Sequence, residues 1–147
     1  MAILMSTALK NEVLFNRSLI STLDWGVIRI YSGDQADSAD AAPTGTLLAS
    51  VTTSGIPWVQ TANPAGGLRL APFPQVGYIV KPSGQIWVLT AAESGTAGWW
   101  RFQSPLDLNW RIDGSVTGPF EELFIGNPVL TQGEQRFIET FQIGFYW

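Results

Sequence analysis

Apolar and polar side chains alternate along this chain in short runs cut by glycine and proline. From Trp25 to Ser32 it reads W-G-V-I-R-I-Y-S, with Ile28 and Ile30 on one parity and Val27, Arg29 and Tyr31 on the other. A period of two is that of a strand, whose successive side chains leave opposite faces. A polar, small-residue stretch from Gly33 to Gly45 follows, and Thr46 to Thr52 returns as a second strand. So long a connection predicts a Greek-key or jelly-roll crossing and not a tight hairpin. Val76 to Val80 and Gln85 to Ala91 flank Lys81-Pro82-Ser83-Gly84 and predict a hairpin, because proline presets a turn and glycine completes it. Trp87 and Leu89 then share one face, and Ile86, Val88 and Thr90 the other.

Trp99 to Ser104 repeats the alternation, with Trp100 and Phe102 opposed to Trp99 and Arg101. Trp110 to Ser115 predicts a strand ending in an Asp113-Gly114 turn, Glu122 to Val129 one broken by Gly126 and Pro128, and Gln135 to Trp147 the longest of all. Between Ser54 and Pro74, prolines 57, 64, 72 and 74 leave room only for a short edge strand at Gly67 to Ala71. One helix is predicted, from Ser6 to Ile20, with Ser6 or Thr7 as its cap and Leu9, Val13, Asn16 and Ile20 on one face. The expected fold is therefore all-β: an antiparallel, jelly-roll-like β-sandwich over residues 23–147. A short helical segment in residues 1–22 packs on the sandwich or extends from it.

Composition narrows the chemistry. The 147 residues include no cysteine and no histidine, which removes thiolate nucleophiles, imidazole bases and the common zinc and iron-sulfur ligand sets. Eight basic against twelve acidic residues, a net charge of −4, offer no patch to neutralise phosphates or anionic lipid. No apolar run approaches the ~20 residues of a membrane-spanning helix, and no cationic stretch precedes an apolar one at the start. Nucleic acid and membrane are thus not expected partners, and the chain is expected to stay in the cytoplasm after synthesis.

Asp34, Asp37 and Asp40 recur at every third position, whereas a calcium loop needs ligands at alternate positions and a distal bidentate carboxylate. They read as turn formers in a solvated loop. The remaining carboxylates, Asp113 and Glu121 among them, suggest no facing pair for glycoside hydrolysis. No serine or lysine sits in a nucleophile motif. No catalytic residue, metal site or cofactor is expected.

The aromatic content changes the picture more. Seven Trp, eight Phe and three Tyr accompany a charged fraction of only 14%, the balance of a protein with apolar surface to hide against neighbours. Trp58, Trp99, Trp100 and Trp110 could form a sugar-stacking platform, but filling of a core or a subunit interface is favoured. Arg101 and Arg111, each beside a tryptophan, could stack on indole or bridge to a carboxylate, with a structural ion pair the favoured role.

Four blocks carry a family resemblance: Ser6 to Asn11 (S-T-A-L-K-N), Gly26 to Val51, Thr96 to Phe102 (T-A-G-W-W-R-F) and Arg111 to Val116 (R-I-D-G-S-V). Within the second, Ser38 to Ala49 reads S-A-D-A-A-P-T-G-T-L-L-A. In these blocks the chain resembles a family of small structural proteins of tailed-bacteriophage virions, similar to jelly-roll cement proteins that decorate capsids. The resemblance implies a non-enzymatic decoration protein on the capsid surface, assembled in the bacterial cytoplasm. It would bind the major capsid protein and a copy of itself, a dimer being favoured over a trimer because two-fold contacts are commonest. The contact residues expected are Leu9 and Val13 on the helix, Trp58 in the proline-rich loop, and Phe145, Tyr146 and Trp147. The alternatives are a tail or neck structural protein and a glycan-binding host-attachment module.

Overall fold

The structure is a computed structural model that describes residues 3–72, 74, 77–116 and 122–144. It is mostly β and antiparallel. The elements are β1 (Leu4–Met5), α1 (Thr7–Phe15), α2 (Leu19–Leu23), β2 (Val27–Ser32), β3 (Leu47–Thr53), β4 (Tyr78–Val80), β5 (Trp87–Ala91), β6 (Gly95–Gln103), β7 (Arg111–Ser115), β8 (Val129–Leu130), β9 (Gln135–Ile138) and β10 (Gln142–Gly144). One large sheet runs in the order β1-β7-β6-β2-β3-β5-β9, with β8 pairing the start of β6, and β10 and β4 form a separate two-stranded ribbon.

The alternation read from the chain decides which face of the large sheet is core. Ile28 and Ile30, Trp87 and Leu89, and Trp100 and Phe102 all join one buried cluster. The second layer is made by Leu9 of α1, Leu23 of α2, the extended segment holding Leu68 and Leu70, and the ribbon's Ile79 and Ile143. Phe141 is at its centre, with its ring 5.4, 5.5 and 5.8 Å from those of Trp87, Trp100 and Phe102. Aromatic pairs at such tilts add favourable quadrupole contacts to the area they bury.

Several elements depart from the sequence expectation, each for a physical reason. The helical segment is two helices: Ser18 accepts a hydrogen bond from the Ser21 N–H at 3.1 Å and starts α2, while α1 ends at Asn16. A serine that satisfies a fresh N-terminus competes with helix continuation. The long connection after β2 makes no crossing, because β2 pairs directly with β3. Its ends are pinned by reciprocal contacts of Ser32 and Thr46, next to Gly33 and Gly45, both at φ +79°. The loop they bound folds back over the sheet.

No β4–β5 hairpin forms. Both edges of β5 are taken, by β3 and β9, so β4 pairs with β10 in the other layer. Asp113-Gly114 is not a turn but the interior of β7. No strand forms at Gly67 to Ala71, where Leu68 makes only an isolated bridge to Gly26. Between Glu122 and β8, Leu123 likewise makes only a bridge, to Phe141. The long C-terminal strand divides at Glu139-Thr140: β9 finishes the large sheet, and β10 enters the ribbon. The pair β1 and β7 was not expected at all; Leu4 lies opposite Asp113 and Met5 opposite Ile112.

Candidate functional site

Three of the six residues predicted as contacts, Leu9, Val13 and Trp58, are among the described residues. Leu9 is fully buried, packed in the main core, so it presents nothing to a partner. Val13 is half-buried against that core. Trp58 is half-buried too; its indole N–H donates to the Trp25 carbonyl at 2.9 Å, and the Arg29 guanidinium lies 5.4 Å from its ring. Phe145, Tyr146 and Trp147 lie outside the described residues, as does Glu121.

Other bulky apolar groups face solvent among the described residues, four of them in two pairs. On α1, Leu14 is 84% and Phe15 94% exposed. Ser6 caps this helix, accepting from the Leu9 N–H at 3.2 Å and donating to the Asn109 carbonyl at 2.6 Å, which ties its start to the segment before β7. With Leu9 turned inward, the 3.6-residue period puts Leu14 and Phe15 on the far side, and that was the signal available in the sequence. At the other sheet edge, Phe137 of β9 is 73% and Ile86 55% exposed, and the two line adjoining grooves beside Val88 and Ile138. β9 is an edge strand whose inward side chain is Ile138, so alternation drives Phe137 outward.

Trp99 and Trp100 are both fully buried, as the favoured core role has it, and neither can join a four-indole sugar platform. Trp100 belongs to the main core. Trp99 leaves the opposite face, stacks on Tyr31 with centroids 4.7 Å apart, and forms a small second cluster with Ala36 of the covering loop.

Beside this cluster lies a charged site under the loop between β2 and β3. Arg101 and Asp113 face one another across β6 and β7, at 1% and 0% side-chain exposure. The guanidinium donates twice to the carboxylate, Nε to Oδ1 at 2.7 Å and Nη2 to Oδ2 at 2.9 Å, and rests 5.3 Å from the Trp99 ring. Arg101 therefore both stacks and pairs. Burial pushes the Asp113 carboxyl up from its ordinary value, against the downward pull of the Arg101 hydrogen bonds and of the Arg101 and Arg111 charges. Burial likewise raises the Tyr31 phenol, opposed first by Arg29 and then by Arg101. Among the described residues Arg111 makes no carboxylate pair; it donates to the carbonyls of Ala39, Asp40 (2.8 Å) and Ala41 (3.3 Å), with its pKa lowered by burial and then by the like charge of Arg101.

Those contacts strap the loop down. Asp40 adds two more, accepting from the Thr7 N–H at 2.8 Å and from the Thr7 hydroxyl at 2.7 Å, and these hydrogen bonds hold its carboxyl below the usual range. The Trp99 indole N–H donates to the Thr44 carbonyl at 3.2 Å. Asp40 thus serves the start of α1, a favourable place for a carboxylate. Among the described residues, no group of three or more Asp or Glu side chains could hold a metal ion, and no helix is long and apolar enough to cross a membrane. Asp113, saturated by one guanidinium and sealed from solvent, has no access to a substrate.

Comparison of the chain with family models, with curated proteins and with solved structures finds no match in any of the three.

Proposed function

We propose that this chain is a bacteriophage capsid decoration protein, a jelly-roll-like cement subunit that binds the major capsid protein lattice and a second copy of itself on the virion surface. The carrying observation is that, among the exposed bulky apolar side chains, two pairs stand side by side, Leu14 with Phe15 and Ile86 with Phe137, while the tryptophans 87, 99 and 100 are spent on the interior. Such groups on an otherwise well-buried chain mark surfaces that meet other proteins. The sequence blocks named above direct the choice among protein partners to a virion shell.

The mechanism is differential binding. A subunit that binds only the mature lattice stabilises that lattice by mass action, and many symmetric copies add modest interfaces into a large effect. It requires neither catalysis nor a cofactor. The test is the protein's copy number in purified particles, together with the temperature at which heads with and without it rupture. Many copies per head and earlier rupture without the protein are expected. Equal heat resistance removes the cement role, and a copy number matching a single ring moves the protein to the neck or tail.

A further inference from the structure

Among the described residues, the face of the large sheet beneath the β2–β3 loop brings together more arginines than carboxylates paired with them. Arg29 and Arg101 lie directly opposite one another on the hydrogen-bonded strands β2 and β6, an arrangement of like charges that is ordinarily destabilising. Asp113, on the far side of β6, serves Arg101, and Arg111 serves backbone carbonyls. Among the described residues, Arg29 has no carboxylate partner; it donates one Nη1 hydrogen bond to Gln103 Oε1 and faces the Trp58 ring. Among the described residues, Asp113 is thus the one carboxylate paired with any of Arg29, Arg101 and Arg111.

The geometry of Arg101 leaves one buried donor without an acceptor. Its bidentate pair with Asp113 uses the guanidinium edge formed by Nε and Nη2. The remaining nitrogen, Nη1, is on the other edge of the planar fork, away from β7, and is buried with no hydrogen-bond partner among the described residues. The strand on that side of β6 is β2, which brings Arg29 and Tyr31. A buried charged donor without an acceptor is costly, and more so beside a second cation.

We infer that the space between Arg101 Nη1 and Arg29 is a binding site for a small inorganic anion of halide size, which accepts from both guanidiniums and completes their charge balance. The seal over Arg101 keeps the ligand small, and the partly exposed Arg29 side chain is its route in and out. This site is independent of the capsid assignment. Its role is to make the strapped face, and with it the β2–β3 loop, firmest when the anion is bound.

The test is thermal unfolding of the full chain in sodium chloride or bromide against sodium gluconate at matched ionic strength, the bulky gluconate serving as the anion that does not fit. A saturating rise in Tm of about 2–4 °C is expected with halide only, the size of shift that about 1 kcal/mol gives for a chain of this length. Arg29→Gln should abolish the halide increment while being no less stable than the parent in gluconate, since it removes a like charge; a merely structural arginine would lose stability in both salts. Crystals of the parent protein soaked in bromide supply a reading that needs no variant, with an anomalous peak expected between Arg29 and Arg101. A rise equal in the two salts, a halide increment retained by R29Q, or no bromide peak at that position overturns the site.

Discussion

Gly114 of β7 lies directly opposite Trp100 of β6, and a Cβ at position 114 would stand 2.3 Å from Trp100 Cζ2. The indole is therefore laid flat across the backbone of its neighbour, with its own position fixed by the Phe141 ring 5.5 Å away. Gly114→Ala must displace either the strand or the buried Trp100 indole. Overpacking typically costs 1–3 kcal/mol, and a rigid, fully buried indole leaves little relief, so a loss of about 3 kcal/mol is expected in urea unfolding. A loss under about 0.5 kcal/mol would show that β6 and β7 are not in this register.

The Arg101–Asp113 pair should be expensive to break singly and cheap to replace whole. Asp113→Leu or Arg101→Met leaves one buried charge uncompensated and should cost about 3–5 kcal/mol, whereas the double variant should recover most of it. A double-mutant cycle by denaturant unfolding measures the recovery. Additive losses would mean that the two side chains are not paired in solution.

Asp40 predicts a pH dependence of definite sign. Its folded pKa lies below its ordinary value of 3.8 because of the Thr7 hydrogen bonds, so the unfolded chain takes up a proton first as pH falls. The stabilisation is fully present above the unfolded value and is lost as pH drops through the folded one. Asp40→Asn should be less stable than the parent at pH 6, and the gap should narrow as pH is lowered below about 4. A gap that stays constant from pH 6 to pH 2 would contradict the assignment.

The two exposed apolar sites should separate binding from folding. Leu14→Ser with Phe15→Ser, and Ile86→Ser with Phe137→Ser, alter side chains more than half exposed and should each change stability by no more than about 0.5 kcal/mol. If the decoration reading holds, at least one pair loses association with purified heads or with a second copy, as read by co-sedimentation. As a contrast, Phe141→Ala removes the hub of the aromatic core and should cost about 3–5 kcal/mol.

How much of this was legible beforehand varies by element. Ile28, Ile30, Trp87, Leu89, Trp100 and Phe102 were placed on shared faces by alternation alone, and each proved to lie in the core. The helix cap was legible as Ser6 or Thr7, and the structure has it at Ser6. Leu9 was read as a contact residue although the helical period equally allows the inward placement it adopts, because a single amphipathic stripe does not say whether it meets the chain's own sheet or another molecule. Leu14 and Phe15 followed from the same wheel once Leu9 was turned inward. The charged site was half visible: an ion pair was expected at Arg101, but nothing local to R-I-D-G-S-V announced that Asp113 would be its partner, because strand neighbours twelve residues apart meet only through register.

Local order belongs to the amino-acid sequence: the period-two runs, the glycine and proline breaks and the capping serines reflect interactions a few residues long, which are present in any short stretch of chain. Pairing belongs to the tertiary structure. Which strand takes which edge, why β4 leaves β5 for β10, and why Arg29 must face Arg101 depend on contacts between distant segments competing for the same hydrogen-bonding edges and the same buried volume. That competition is resolved only when the whole sheet closes over Phe141, since only then is the apolar area of all the strands removed from water together.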